Sequence, residues 1–142
     1  MIRHGVVILV DPLNLRHPEL AANTDFTALH HPESFGVAIM QSPSCWYAHR
    51  DQTEGDLVGT KPVPVLIQEF LDAKETVLDQ LRLYQECGMW EFGPPPARVW
   101  QVLGNRWLNQ VLTLRGADTV YREFAGGYDA AWWLGTWADA LI

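Results

Sequence analysis

Apolar positions fall into two kinds of run: short β-branched stretches near the start, and helically spaced ones after about residue 60. Gly5 to Val10 is apolar on both faces and stops at Asp11-Pro12, the pattern of a central strand covered on each side. His17-Pro18-Glu19 and His31-Pro32-Glu33 each read as the start of a helical turn, with Pro in the first position and an acid at the positive end of the dipole. Phe35 to Met40 predicts a second strand with Phe35, Val37 and Ile39 on one face. Ser42-Pro43-Ser44 then turns the chain, and Cys45 to His49 returns as the other arm of a hairpin. A polar loop from Arg50 to Thr60 leads into Lys61-Pro62-Val63-Pro64, which opens a helix.

From Val65 to Cys87, three- and four-residue spacing of Leu66, Ile67, Phe70, Leu71, Val77, Leu78, Leu81 and Tyr84 predicts one long helix. Glu69, Asp72, Glu75, Asp79 and Glu86 fall largely outside that stripe, and Gly88 is placed to cap the end. Met89 to Pro96 is a stiff connector. A second helix from Ala97 to Leu114 follows, apolar over much of its circumference, and Gly116 ends it. Asp118 caps a shorter third helix through Phe124, and Asp129 a final one holding Trp132, Trp133, Trp137 and Leu141. The expected fold class is α+β: a small, mainly antiparallel N-terminal sheet packed on a C-terminal bundle of three or four helices. The 142 residues form a single domain, β-rich over 1–60 and helical over 61–142.

Composition adds two facts. Hydrophobic residues make up 48% of the chain and charged ones 19%, a globular composition that argues against disorder. Six of seven tryptophans lie beyond Pro62, more indole than a modest interior readily hides, and Trp90 and Trp132 fall off the apolar stripes. The net charge of −7 is concentrated between Asp51 and Glu91, where nine acids face Lys61, Lys74 and Arg82. That balance argues against direct nucleic-acid binding and leaves an acidic face open to a basic partner. Cys45 and Cys87 do not form a CxxC pair, which fits a reducing, cytoplasmic setting. The apolar run at residues 6–10 is far too short to span a membrane.

Candidate chemistry is sparse. All five histidines lie within the first forty-nine residues, and His30, His31, Cys45 and His49 carry side chains that suit a transition metal. They lack paired ligand spacing, and ordinary surface histidine explains them as well. Cys45 and His49 resemble a nucleophile and its base, yet on a strand they sit about 13 Å apart at 3.3 Å per residue. Gly55 to Lys61 fails as a phosphate loop in glycine spacing and lysine position, so no cofactor is expected. Asp11, at the end of the first strand, reads as a turn residue.

The leading functional expectation is a non-enzymatic protein-protein interaction protein: a small inhibitor, an immunity or anti-defence type, or an assembly component. Its partner-binding surface would comprise Asp72, Glu75, Asp79, Trp90 and Trp132. Self-association through the aromatics is a further option. The alternative is a small metal-dependent hydrolase using the N-terminal His/Cys/Asp cluster.

Overall fold

The computed structural model describes residues 5–10, 23–45, 63–91 and 101–140, with the backbone alone for 5–10, 23–26, 130 and 137. Four strands pair in sequence order, every pair parallel. They are β1 (Gly5–Val10), β2 (Phe35–Gln41), β3 (Arg82–Gly88) and β4 (Asp118–Phe124). The helices are α1 (Asn23–His30), α2 (Val65–Asp72), the single turn α3 (Glu75–Leu78), α4 (Gln101–Leu114) and α5 (Ala130–Ala140).

Parallel neighbours need a crossover, and right-handed crossovers that step in one direction put every linking helix on one face. The core follows that rule. Ala38, Met40 and Leu83 of the sheet meet Ala28 and Leu29 of α1, Leu66, Ile67 and Phe70 of α2, and Leu108, Val111 and Leu112 of α4. The opposite face carries Ile39, Gln41, Tyr84 and Glu86, and α5 packs there through Trp133 and Thr136. β3 therefore has both faces covered, as a strand inside a parallel sheet should.

The expected antiparallel sheet on a helical bundle is thus corrected: the sheet is all parallel, and half of it comes from the part expected to be helical. Both neighbours of β2, β1 and β3, run parallel to it, so among the described residues no hairpin arm pairs with it, and Cys45 sits in a turn. The rest of the expected return strand lies outside the described residues. His30 closes α1, and His31-Pro32-Glu33 opens a turn, the His31 carbonyl accepting the Ser34 amide at 2.9 Å and the Phe35 amide at 3.0 Å. The long helix over 65–87 breaks at Ala73, whose backbone is extended (ψ 140°). Arg115 holds that break by donating to the carbonyls of Leu71, at 3.1 Å, and Ala73. After α3, Leu83, Gln85 and Cys87 point to α4's face while Tyr84 and Glu86 point to α5's, a two-residue period that helical spacing at Leu81 and Tyr84 had masked.

The third expected helix is β4. Thr119, Val120, Tyr121 and Phe124 are strand formers, and Asp118 begins the strand instead of capping a helix. Other boundaries agree. Gly116 ends α4 at φ 73°, a conformation that side chains avoid. The Asp129 carboxylate accepts the Ala131 amide at 2.7 Å and starts α5. Among the described residues, no helix is long and apolar enough to cross a membrane.

Candidate active site at the C-terminal ends of the strands

In open parallel sheets, ligands bind beyond the carboxyl ends of the strands. At that end the register sets Gln41 of β2 directly beside Glu86 of β3. Glu86 is 1% exposed. Its Oε1 accepts Gln41 Nε2 at 2.7 Å and the Thr136 hydroxyl of α5, and its Oε2 accepts the Tyr84 hydroxyl at 3.0 Å. Burial, reinforced by the Glu86 charge, holds the Tyr84 phenol well above its ordinary pKa, so it remains a donor. Gln41 also donates to the Trp133 carbonyl at 3.0 Å, which ties α5 to the same point.

A second buried carboxylate lies alongside. Glu91 Oε1 accepts the Ser42 hydroxyl at 2.6 Å and the Gly88 amide at 2.9 Å, while Cys87 Sγ donates to Oε2 at 3.5 Å. Burial raises the Glu91 pKa, and those three donors only partly oppose it. Ser42 stands at φ 54° at the exit of β2; its hydroxyl also accepts Trp133 Nε1 at 3.2 Å. Its backbone is equally engaged, the amide donating to Glu86 O at 2.7 Å and the carbonyl accepting Gln101 Nε2 at 2.7 Å.

This strained serine lacks the attributes of a nucleophile elbow: it is 0% exposed and sits in Gln41-Ser42-Pro43-Ser44 without flanking glycines. G-x-S-x-G occurs nowhere in residues 1–142, and no histidine follows His49. What the described residues supply is a buried, oriented carboxylate at the ligand-binding end of the sheet. A carboxylate so placed can fix the tautomer of a catalytic imidazole.

The residues singled out from sequence are scattered. His30 and His31, at the entrance to β2, lie 3.7 Å from Glu69 and 3.4 Å from Glu33. Cys45 is buried at the exit of β2, roughly 20 Å of strand away at 3.3 Å per residue. His49 lies outside the described residues, as do Asp11 and the 55–61 loop. Among the described residues, no three His, Cys, Asp or Glu side chains converge to hold a metal.

Asp72, Glu75 and Asp79 are exposed near the entrance to β3, with Asp72 accepting Gln68 Nε2 at 2.9 Å. Near that end a surface hollow of about 280 Å³ is lined by Leu29, His30, Glu69, Asp72, Lys74 and Val77. Trp90 and Trp132, 61% and 46% exposed, lie instead at the strand exits. Sequence reasoning passed over Gln41, Glu91 and Thr136, and it read Tyr84 and Glu86 as the apolar stripe and the solvated side of a helix.

The chain is similar to a stretch of bacterial esterases. It is 33% identical over 118 residues to the iron(III) enterobactin esterase of Escherichia coli K12, a match covering 82% of this chain and 25% of that protein. It superposes with a TM-score of 0.63 on the Shigella flexneri enterobactin esterase solved in the presence of 2,3-dihydroxy-N-benzoyl-serine, at 26% identity over 85% of this chain and 27% of that one. A ferulic acid esterase, 14% identical with a TM-score of 0.61 over 84% of this chain and 45% of its own, shares the fold. No family model matches. The chain thus spans about a quarter of the length of the enterobactin esterases it matches. These likenesses, to esterases, overturn the expectation of a non-enzymatic inhibitor or assembly component that acts on a protein partner.

Proposed function

We propose that this chain carries an esterase-type hydrolytic site, with Glu86 as its acid and esters whose acyl part bears an aromatic ring as its substrate class. The observation that carries the reading is the Glu86 carboxylate, fully buried at the exit of a parallel sheet and cradled by Gln41, Tyr84 and Thr136. Support for the substrate class comes from the similar Shigella esterase, whose structure was solved in the presence of 2,3-dihydroxy-N-benzoyl-serine, a molecule that carries its aromatic ring through an amide on the serine whose carboxyl group an ester would use. In Ser-His-acid chemistry the acid orients the imidazole and stabilises its protonated form as the nucleophile attacks. Within these 142 residues, His17 and His49 are the candidate bases, because they follow the exits of β1 and β2 in sequence. The two free cysteines, both buried, support a reducing compartment, and we infer the cytoplasm.

The test is release of 4-nitrophenol from 4-nitrophenyl 4-hydroxybenzoate by the purified protein. Glu86→Gln preserves shape and is expected to lower kcat by about 10²-fold or more. Hydrolysis no faster than buffer, or a rate unchanged by Glu86→Gln at unchanged thermal stability, contradicts the proposal. One observation favours a second reading, capture of the aryl ester without turnover: no G-x-S-x-G serine and no histidine beyond His49 occur in this sequence.

A further inference from the structure

Two exposed indoles lie at the strand exits, the same end of the sheet as Glu86. Trp90 and Trp132 flank a single glycine, Gly126. The Trp90 amide donates to the Gly126 carbonyl at 3.0 Å. The Trp132 ring lies so close that a Cβ on Gly126 would be 2.8 Å from indole Cδ2 and 2.7 Å from Phe124 Cε2. Trp132 also stacks on Phe124, with centroids 5.9 Å apart and planes 29° apart. A ring held by Phe124 on one strand exit and by a glycine that admits no side chain has lost most of its own freedom. Nearly half of Trp132 nonetheless stays in solvent, as does most of Trp90.

Position distinguishes this patch from a bland exposed tryptophan. Trp132 is one helical turn from Thr136, whose hydroxyl reaches both the Trp132 carbonyl, at 3.4 Å, and the Glu86 carboxylate. Trp133, the next residue along α5, supplies the carbonyl that Gln41 bonds while Gln41 also holds Glu86. The ledge therefore rises from the same turn of α5 that holds Glu86 and shares the end of the sheet where ligands bind. Planar, polarisable rings stack on indole faces more favourably than saturated rings of equal size.

We propose that Trp132, with Trp90 beside it, is the specificity surface of this site and receives the aromatic ring of the acyl group. The inference rests on the ester-substrate reading for the nature of the ligand, and its test reads binding separately from turnover. The probes are ethyl 4-hydroxybenzoate and its saturated counterpart, ethyl 4-hydroxycyclohexanecarboxylate, titrated into the full chain and followed by ligand-observed saturation-transfer NMR.

The aryl ester is expected to bind several-fold more tightly than the cyclohexyl ester. Trp132→Leu keeps apolar bulk against Phe124 and should weaken aryl binding by about fivefold to tenfold while leaving the cyclohexyl ester unaffected. Trp132→Phe should retain most of the aryl preference. Trp90→Ala, which alters no packed ring in the fold, should lower aryl affinity without changing thermal stability. Equal affinity for the two esters, or aryl binding untouched by both Trp132→Leu and Trp90→Ala, would overturn the ledge. Trp132-dependent aryl binding without hydrolysis supports the ledge and removes the turnover reading. Glu86-dependent hydrolysis with no aryl preference does the reverse.

Discussion

Gly88→Ala is expected to destabilise the protein by about 3 kcal/mol or more, the upper range for overpacking a filled interior. A Cβ there would lie 2.5 Å from the Gly126 carbonyl oxygen and 2.6 Å from Glu91 Oε1. The side chain could swing away, but the carbonyl cannot, because it accepts the Trp90 amide and belongs to the turn that leaves β4. Relief would require β3 and β4 to part at their exits, straining the Met89–Phe124 and Trp90–Gly126 bonds together. Gly135, on the exposed side of α5, meets nothing within 4 Å, so Gly135→Ala should stabilise by about 0.5–1 kcal/mol. Urea denaturation of the two variants checks this: midpoints moving in opposite directions are expected, and a Gly88→Ala midpoint equal to wild type contradicts the packing described.

Glu91→Ala should cost about 2–4 kcal/mol, because the Ser42 hydroxyl and the Gly88 amide would be left buried without their acceptor. Glu91→Gln keeps an accepting oxygen and should cost far less near neutral pH, where the wild-type carboxylate bears the burden of desolvation. The pH dependence has a definite sign. Burial raises the Glu91 pKa in the folded state, so the folded protein holds that proton more tightly than the unfolded chain. Its stabilising effect is complete below the unfolded value of about 4.3 and is lost as pH rises through the folded value. Glu91→Gln cannot titrate, so wild type should lose ground to it as pH rises from about 4 to 8. Urea midpoints of both proteins across that range decide the matter, and a gap that moves in wild type's favour contradicts the assigned direction.

The elements that sequence reveals are those whose local signals agree. β1 announces itself by an unbroken apolar run, although it takes an edge of the four-stranded sheet and not its centre, and α4 and α5 by helical stripes and the caps at Gly116 and Asp129. β3 was illegible for a physical reason. Its two faces bury Gln85 against Asn105 and Glu86 against Gln41, so polar residues occupy positions that hydrophobic patterning assigns to solvent. Leu78 at the end of α3, Leu81 in the link and Tyr84 in β3 then mimic one continuing helix. The direction of β2 relative to β1 depends on α1, an eight-residue helix with little apolar contrast, and a hairpin turn at Ser42-Pro43 looked equally good. The candidate site was hidden with β3, since it exists only where Gln41, the Glu86–Glu91 stretch and Thr136 meet from three separate parts of the chain. Exposure of Trp90 and Trp132 was legible, because both fall off every apolar stripe. What they face was not.

The central claim is that ligand chemistry resides at the strand exits around Glu86 and not at the opposite end of the sheet. Mapping backbone amide shifts during titration with N-ethyl 4-hydroxybenzamide, a non-hydrolysable stand-in for the ester, tests it directly. Changes confined to Gln41, Ser42, residues 86–91 and residues 126–136 are the expected result. Changes concentrated at His30, Glu69 and Lys74 around the other hollow, or none at millimolar ligand, would contradict it.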